Sequence, residues 1–454
     1  MEDIFIAKNY SHICFQPSFD SFFQKLIDNY KIKIYDDYCF LNNKLKGSNL
    51  IADSSILNYI DNLIENYNLL ADIIMHPVSL LWLNTSINAT NKNDFSEALP
   101  SIEAHFFSIF ISCNIRLKQN IVVKCYLPNR FTILPDCYKI KLTTSSYEMD
   151  VVMDYSQKEL YISNNTVNIN FLKINENIAI KGSIDEVVSP VFVNGISIEF
   201  GNTELLNFYG QNFQKIDKKS WLERTKASFV LLEKIWPEMY VEIVQLIKVI
   251  VPGSYSFTKQ HLSGSDHWTI GTIFTSLVEE PQLSDGLIHE YRHNFLNCIL
   301  AMKDIFKPSA KQPKIYFSPW RPDPRPEIGV FHAIFVFASV TEYYFRICKN
   351  NIPEFDKEEM RFRLILETTR TLIAINELNS FSELNEFGLN LLKTIHIQIK
   401  ELFAKLEIKP NERVRVFDYI TNEYEIWKDK WKINSQGDIY NFLKSIYIYK
   451  NENI

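Results

Sequence analysis

The chain has 454 residues, of which 46 % are hydrophobic and 22 % are charged, and its formal net charge is −6 at pH 7. This composition is typical of a folded globular protein and excludes an intrinsically disordered chain. The acidic balance argues against a nucleic-acid binder, because phosphate binding relies on clustered Lys and Arg. The length predicts two or three domains.

The sequence also indicates a cellular location. The N-terminus has no basic segment followed by an apolar one, and no apolar stretch reaches the roughly 18 residues of a membrane-spanning helix. The seven cysteines form no Cys-x-x-Cys pair, which is typical of reduced thiols rather than of a disulfide framework. We therefore expect a cytoplasmic protein with no membrane attachment.

Hydrophobic periodicity divides the chain into three regions. Residues 1–117 show a helical period, with helices expected over 51–74 and 101–115. Residues 118–215 alternate apolar and polar side chains over 121–126, 138–142 and 166–171, which predicts a small antiparallel sheet. Residues 216–454 return to the helical period, with helices expected over 221–251 (broken near 236–237), 285–306, 330–349, 358–379, 383–406 and 413–431. The sequence therefore predicts an α+β fold with a helical N-terminal part, a β-rich middle and a helical C-terminal catalytic part.

One short motif indicates a metal-binding site. It reads His-Glu-Tyr-Arg-His at 289–293, in a helix for which Ser284 is the expected N-cap. Because His289 and His293 are four residues apart, their imidazoles project from one face of the helix and can clamp Zn²⁺ or Fe²⁺. Glu290 is placed to act on a metal-bound water or to join the ligands. The alternative is a helix with two ordinary histidines.

A two-histidine clamp needs a third ligand. A metzincin would have a third His at position 299, where this chain has Ile299, so that class is excluded. The next expected helix offers His332 and Glu342, and both stay open at this point. Glu342 would complete a gluzincin-like zinc site, whereas His332 would give a three-histidine site.

A stiff, Arg-bearing segment precedes that helix. It reads Ser-Pro-Trp-Arg-Pro-Asp-Pro-Arg-Pro at 318–326, and its four prolines favour an extended backbone. It presents Arg321 and Arg325, and Arg suits bidentate recognition of a carboxylate. A rigid Arg close to a metal is what a 2-oxo acid co-substrate requires. The alternative is a plain rigid linker with solvated Arg side chains.

Together, the motif at 289–293, the segment at 318–326 and Gly-Val-Phe-His at 329–332 resemble the HExxH-domain proteins found with ribosomally made, post-translationally modified peptides. The resemblance covers about 284–345 and is weak over the N-terminal half. It implies an Fe(II)- and 2-oxoglutarate-dependent hydroxylase that uses O2 on the β-carbon of a precursor-peptide residue. It also implies that His289, His293 and His332 bind iron and that Arg321 or Arg325 binds 2-oxoglutarate. His261 and His267 lie outside the family pattern and are reserve ligands.

Two further functions remain open on the sequence. A zinc metallopeptidase would use His289, His293 and Glu342 as ligands and Glu290 as the base. A non-catalytic scaffold would bind a peptide or a partner enzyme without a metal. The β-rich middle is a reasonable place for a peptide to bind by strand addition.

Overall fold

The computed structural model describes residues 21–46, 73–92, 191–200, 217–253, 261–307, 315–350, 355–381, 383–432 and 439–448, with strands between 121 and 188 and a few shorter pieces. The helix expected over 51–74 lies outside these residues except for its last two positions. The helix expected over 101–115 is described only at 107–109 and 111–113, which are helical. The strand expected over 166–171 is described only at its end, where β6 begins.

Ten long helices make up most of the described chain. They are α1 Ser21–Lys46, α2 Pro77–Lys92, α3 Lys218–Ile235, α4 Pro237–Leu246, α5 Glu280–Leu300, α6 Glu327–Asn350, α7 Lys357–Phe381, α8 Glu386–Lys405, α9 Pro410–Trp431 and α10 Ile439–Ile448. The expected break between α3 and α4 is confirmed. Trp236 separates the two helices, and Pro237 starts α4 at a position where its missing N–H costs nothing.

The middle of the chain is built of short strands. They are β1 Ile121–Tyr126, β2 Arg130–Ile133, β3 Tyr138–Leu142, β4 Glu148–Asp154, β5 Glu159–Ser163, β6 Asn170–Ile174, β7 Ile178–Gly182 and β8 Ile184–Val188. One sheet has the order β1-β4-β5-β7-β6 and a second the order β2-β3-β8. Every pairing is antiparallel except that of β5 with β7, so the expected sheet character is largely confirmed.

A further mixed sheet joins the middle of the chain to the helical part. Its strands are β9 Val191–Val193, β10 Ile196–Ile198, β11 Val249–Gly253, β12 Ser263–Gly264 and β13 Thr272–Ser276, in the order β12-β13-β11-β10-β9. The central strands β10, β11 and β13 are parallel, and both edge strands are antiparallel. The domain boundary expected between 215 and 216 therefore falls between β10 and β11, which are paired strands of one sheet. A short pair, β14 Ile315–Tyr316 and β15 Arg325–Pro326, follows α5.

The α+β class expected from the sequence is confirmed. The start of α5 differs from the expectation. Ser284 is not the N-cap, because the helix begins at Glu280 with Pro281 in its first turn, and Ser284 lies buried within it. The Ser284 hydroxyl donates to the backbone oxygen of Ser228, 3.2 Å away, which ties α5 to α3.

Helices α5 and α6 pack against each other in opposite directions. The His293 and His332 rings are 5.4 Å apart, and the His289 and Phe337 rings are 4.9 Å apart. Farther along, Tyr344 donates to Asp285 over 2.7 Å. Each step toward the N-terminus of α5 meets a residue farther along α6. This antiparallel register determines which α6 side chains face the HExxH motif.

Of the residues that the structure describes, α6 is the single helix whose length and composition would let it cross a membrane. Most of that span is buried inside the protein, between α5 on one side and α7 on the other. Such burial is typical of a core helix.

Candidate metal centre

The two histidines of the motif lie where the four-residue spacing predicts. His289 and His293 occupy successive turns of α5, and their ring centroids are 4.9 Å apart. The rings are inclined at 67° to each other. Both belong to the helix face that packs against α6, so a third ligand could come from that helix.

His332 supplies a third imidazole at this point. Its Nδ1 lies 3.1 Å from the Nδ1 of His293. Two nitrogen ligands of one zinc ion, each at 2.0–2.1 Å, would be about 3.3 Å apart in a tetrahedral site. The separation of the two rings is therefore close to that of two ligands of one metal ion. The same separation also allows an N–H···N hydrogen bond between two neutral rings.

Burial keeps these imidazoles neutral. It lowers the pKa of His289 to about 3, with a smaller contribution from His261. Burial likewise lowers the pKa of His332 to about 4, and His267 adds to the effect. The pKa of His293 is lowered well below its usual value by burial and by the two histidines beside it. Neutral imidazole is the form that binds a metal, so these rings need lose no proton at neutral pH.

Two more histidines stand around this group. His261 donates to or accepts from Thr275, with 2.8 Å between its Nε2 and the Thr275 Oγ1, and its ring packs against Gly286 of α5. His267 is close enough to His332 for its charge to affect the pKa of His332. Five of the nine histidines of the chain thus lie in this part of the fold. His261 and His267 remain reserve ligands.

Glu290 is held away from solvent by two serines. The hydroxyls of Ser263 and Ser265 each donate to one of its carboxylate oxygens over 2.6 Å. Burial raises the pKa of Glu290 to about 7, against the opposing effect of these two hydrogen bonds. Its Oε1 is 3.9 Å from the Nε2 of His289. Glu290 thus borders the histidines while both its oxygens are engaged on the β12 side.

The sequence analysis singled out the segment that contains these serines only for His267, a reserve ligand. Its role is to cover the Glu290 face of α5. Asn294, one turn on, holds the neighbouring strand: its Oδ1 accepts the Gly271 N–H over 2.7 Å, and its Nδ2 donates to the Thr272 oxygen. The contacts join residues more than twenty positions apart, so no local pattern in the sequence announces them.

Glu342 does not join the histidines, which corrects one of the two candidates for the third ligand. Glu342 and His332 are ten residues apart on α6, which is about 15 Å along the helix axis. Because His332 contacts His293, Glu342 lies too far along α6 to share that metal. It accepts instead from Arg346, with 2.8 Å between Arg346 Nε and Glu342 Oε1.

The two candidate arginines are engaged by one carboxylate. Asp323 lies 3.0 Å from the Nε of Arg325 and 3.4 Å from that of Arg321. Arg325 is in β15, opposite Tyr316, and its side chain is 33 % exposed, whereas that of Arg321 is 55 % exposed. Either guanidinium would have to share or leave Asp323 to bind a 2-oxo acid.

Trp320 links this Arg-bearing segment to the histidines. Its ring stacks on Phe337 with 4.5 Å between centroids and 5° between planes, and the Phe337 and His289 rings make a T-shaped contact. The Trp320 Nε1–H donates to Glu367 of α7 over 2.6 Å. The stacking of Trp320 on Phe337 was not predicted from the sequence.

The residues present fit a divalent metal in their chemistry. Three neutral, half-buried imidazoles from two packed helices form a suitable donor set. Among the described residues, however, no three His, Cys, Asp or Glu side chains already converge on one point. Binding therefore requires rotation of at least one imidazole ring about its side-chain bonds. His289, His293 and His332 would hold the ion.

Comparison with models of known protein families finds no matching family, and comparison with curated proteins finds no matching relative. The resemblance of 284–345 to HExxH-domain peptide-modifying proteins therefore stays a prediction.

Proposed function

We propose that this protein is an Fe(II)- and 2-oxoglutarate-dependent hydroxylase that acts in the cytoplasm on a residue of a ribosomally made precursor peptide. One observation carries the proposal above all. Trp320 of the Arg-bearing segment stacks on Phe337, and the Phe337 ring contacts that of His289. This contact brings the candidate metal-binding pair and the candidate carboxylate-binding segment together, as a 2-oxo acid co-substrate requires.

Each group of residues has a part in this reaction. When bound, Fe(II) and 2-oxoglutarate supply the oxidising chemistry that uses O2 to convert C–H into C–OH, with loss of CO2. His289, His293 and His332 hold the metal as neutral imidazoles. Arg325 or Arg321 orients the co-substrate carboxylate after exchange with Asp323. Trp320 and Phe337 cover the His289 side and exclude water from it.

Glu290 has a positioning role in this proposal. Ser263 and Ser265 occupy both of its carboxylate oxygens, so it fixes the β12 segment against α5. Burial raises the pKa of Glu290 to about 7, so its carboxyl group holds a proton in a substantial fraction of molecules at neutral pH. A group already engaged by two donors is poorly placed to take a proton from water.

A zinc metallopeptidase is the second candidate, and one observation favours it. A pKa of about 7 suits a general base, and Glu290 lies 3.9 Å from His289. This version uses His332 as the third ligand instead of Glu342. It needs Glu290 to release at least one serine hydroxyl.

The test uses the full chain purified without oxygen and loaded with Fe(II). Supplied with 2-oxoglutarate, O2 and the peptides encoded by neighbouring genes, it should release succinate and add the mass of one oxygen atom to one peptide. His289→Ala should abolish both products, whereas Glu342→Gln should retain them. Cleaved peptide that disappears in Glu290→Gln would instead establish the peptidase. If His289→Ala retains the full biological function of the protein, the protein is a non-catalytic scaffold.

A further inference from the structure

Three helices hold the Arg-bearing segment at 318–326 in place. One is α6, through the stack of Trp320 on Phe337. The other two, α7 and α9, follow the segment in the chain and contribute none of the three candidate metal ligands. Because Arg321 and Arg325 belong to the segment, its contacts with these helices determine where the two guanidinium groups lie relative to the histidines.

Glu367 of α7 anchors the segment at Trp320. Its Oε2 accepts the Trp320 Nε1–H over 2.6 Å, and its Oε1 accepts from Arg370 over 3.0 Å. Arg370 in turn donates to Glu423 of α9 over 2.6 Å. Glu367 is buried, and a hydrogen bond to a charged acceptor is stronger where solvent is excluded. This carboxylate therefore joins the Trp320 indole to α7 directly and to α9 through one arginine.

Helix α9 provides a second anchor at its C-terminal end. The Trp431 Nε1–H donates to the backbone oxygen of Pro322 over 2.7 Å. About one turn earlier, Trp427 makes a T-shaped contact with Phe317, which lies just before the segment, with 5.1 Å between ring centroids. The segment is thus tied to α9 by a hydrogen bond as well as by packing.

The two anchors lie on either side of Arg321. The Arg321 backbone N–H donates to the Ser318 oxygen over 3.1 Å, which closes a turn at the start of the segment. Arg325 follows in the paired strand β15. Proline fixes one backbone dihedral at each of its positions, so the segment has few ways to bend. Release of Trp320 or Pro322 should therefore displace the backbone that carries the arginines.

We infer that Glu367 and Trp431 are positioning residues for the co-substrate arginines. They act through the Trp320 indole and the Pro322 backbone. The inference rests on the proposed function for the ligand of the arginines, whereas the attachment of the segment can be measured without any ligand. Loss of either hydrogen bond should lower the fraction of molecules in which the segment is held in place, and the apparent affinity for 2-oxoglutarate falls with that fraction.

The experiment uses Trp→Phe substitutions in the full chain, each of which removes an N–H donor and keeps an aromatic ring. Hydrogen exchange over 315–326 is measured on the ligand-free protein, and 2-oxoglutarate affinity on the Fe(II)-loaded protein by visible absorption. Trp320→Phe should change both by at least about tenfold, because its acceptor is a buried carboxylate. Trp431→Phe should change both by about threefold, because its acceptor is a neutral carbonyl. Trp431 is 37 % exposed, so the fold should tolerate its substitution.

Two further variants separate positioning from general damage. Trp427→Phe is the matched control: Trp427 packs beside the same segment, and no hydrogen bond from its Nε1–H is present within the described chain. This substitution should leave exchange over 315–326 and 2-oxoglutarate affinity unchanged. Glu367→Gln keeps an oxygen that can accept from Trp320, so it should lose less affinity than Trp320→Phe.

Unchanged exchange over 315–326 in both Trp320→Phe and Trp431→Phe would overturn the inference. Equal changes in Trp427→Phe would overturn it as well, because packing would then be the cause. So would faster exchange with unchanged 2-oxoglutarate affinity. Failure of the parent protein to bind 2-oxoglutarate would contradict the proposed function instead, and the exchange rates would still show whether the two hydrogen bonds hold the segment.

Discussion

The Nδ1 atoms of His293 and His332 lie 3.1 Å apart across the interface of α5 and α6. The two residues are 39 positions apart in the sequence, and a Pro-rich segment lies between their helices. Their closeness makes His332 the third member of the histidine group in place of Glu342.

The first prediction concerns metal affinity. His332→Ala should weaken binding of Zn²⁺ or Fe²⁺ by at least about 100-fold, since loss of a mere supporting residue already costs 10–100-fold. Glu342→Ala should leave affinity unchanged, because its carboxylate pairs with Arg346. Equilibrium dialysis followed by elemental analysis measures both. Equal losses in the two variants would show that His332 is not a ligand.

The second prediction concerns Gly286 on α5. A Cβ at this position would overlap the ring of His261, so Gly286→Ala should destabilise the protein by roughly 1–3 kcal/mol. In a His261→Ala background the same change should be neutral or stabilising by up to about 1 kcal/mol, because Ala favours helix over Gly. Urea unfolding of the parent, Gly286→Ala, His261→Ala and the double variant gives the coupling free energy between the two positions. Additive effects would mean that the two residues do not meet.

The third prediction concerns the pH dependence of stability. Burial raises the pKa of Asp285 from 3.8 to about 7, although the Tyr344 hydrogen bond opposes this. The folded state thus binds a proton more tightly than the unfolded state. This contribution is complete below pH 3.8 and is lost as the pH rises through about 7. The difference corresponds to roughly 4 kcal/mol as an upper bound.

Asp285→Asn should remove this dependence, because its amide carries no charge and its oxygen can still accept from Tyr344. Metal-free Asp285→Asn should unfold at higher urea than the parent at pH 8, and by a smaller margin at pH 5. Part of the pH dependence of the unfolding free energy remains in Asp285→Asn, since burial also raises the pKa of Glu290 to about 7. If the variant and the parent show the same pH dependence, Asp285 is not its source.

The fourth prediction assigns the co-substrate arginine. Arg325 is the less exposed of the two and is held in β15, so Arg325→Ala should weaken 2-oxoglutarate binding at least about tenfold and Arg321→Ala much less. Asp323→Asn should strengthen binding, because it releases the guanidinium. Titration of the Fe(II)-loaded protein, monitored by visible absorption, measures the affinities. Equal effects of the two Arg substitutions would exclude a dedicated role for Arg325.

The sequence was most informative where a periodic pattern is long. Helices α6 to α9 were expected within three residues of their observed bounds and α5 within six, because their apolar stripes run over many turns. The short strand β11 was missed, and 249–251 was assigned to a helix. An apolar run of this length looks the same in a buried strand and in a buried helix.

The residues of the candidate site also differ in how far the sequence predicts them. The His289–His293 pair follows from spacing within one helix. Contacts between elements were not predictable: Ser263 in β12 and Ser265 just after it reach Glu290 from more than twenty residues away, and Trp320 reaches Phe337 through stacking. Such contacts depend on how strands and helices pack, and no residue near the motif encodes them.

The antiparallel register of α5 and α6 has a consequence for how this region tolerates insertions and deletions. One residue inserted into α5 between Asp285 and His293 would turn the residues beyond it by about 100° and separate His293 from His332 or His289 from Phe337. One residue inserted outside the two helices leaves both registers intact. Chain length can therefore vary outside the paired turns, whereas within them the position of every residue is fixed.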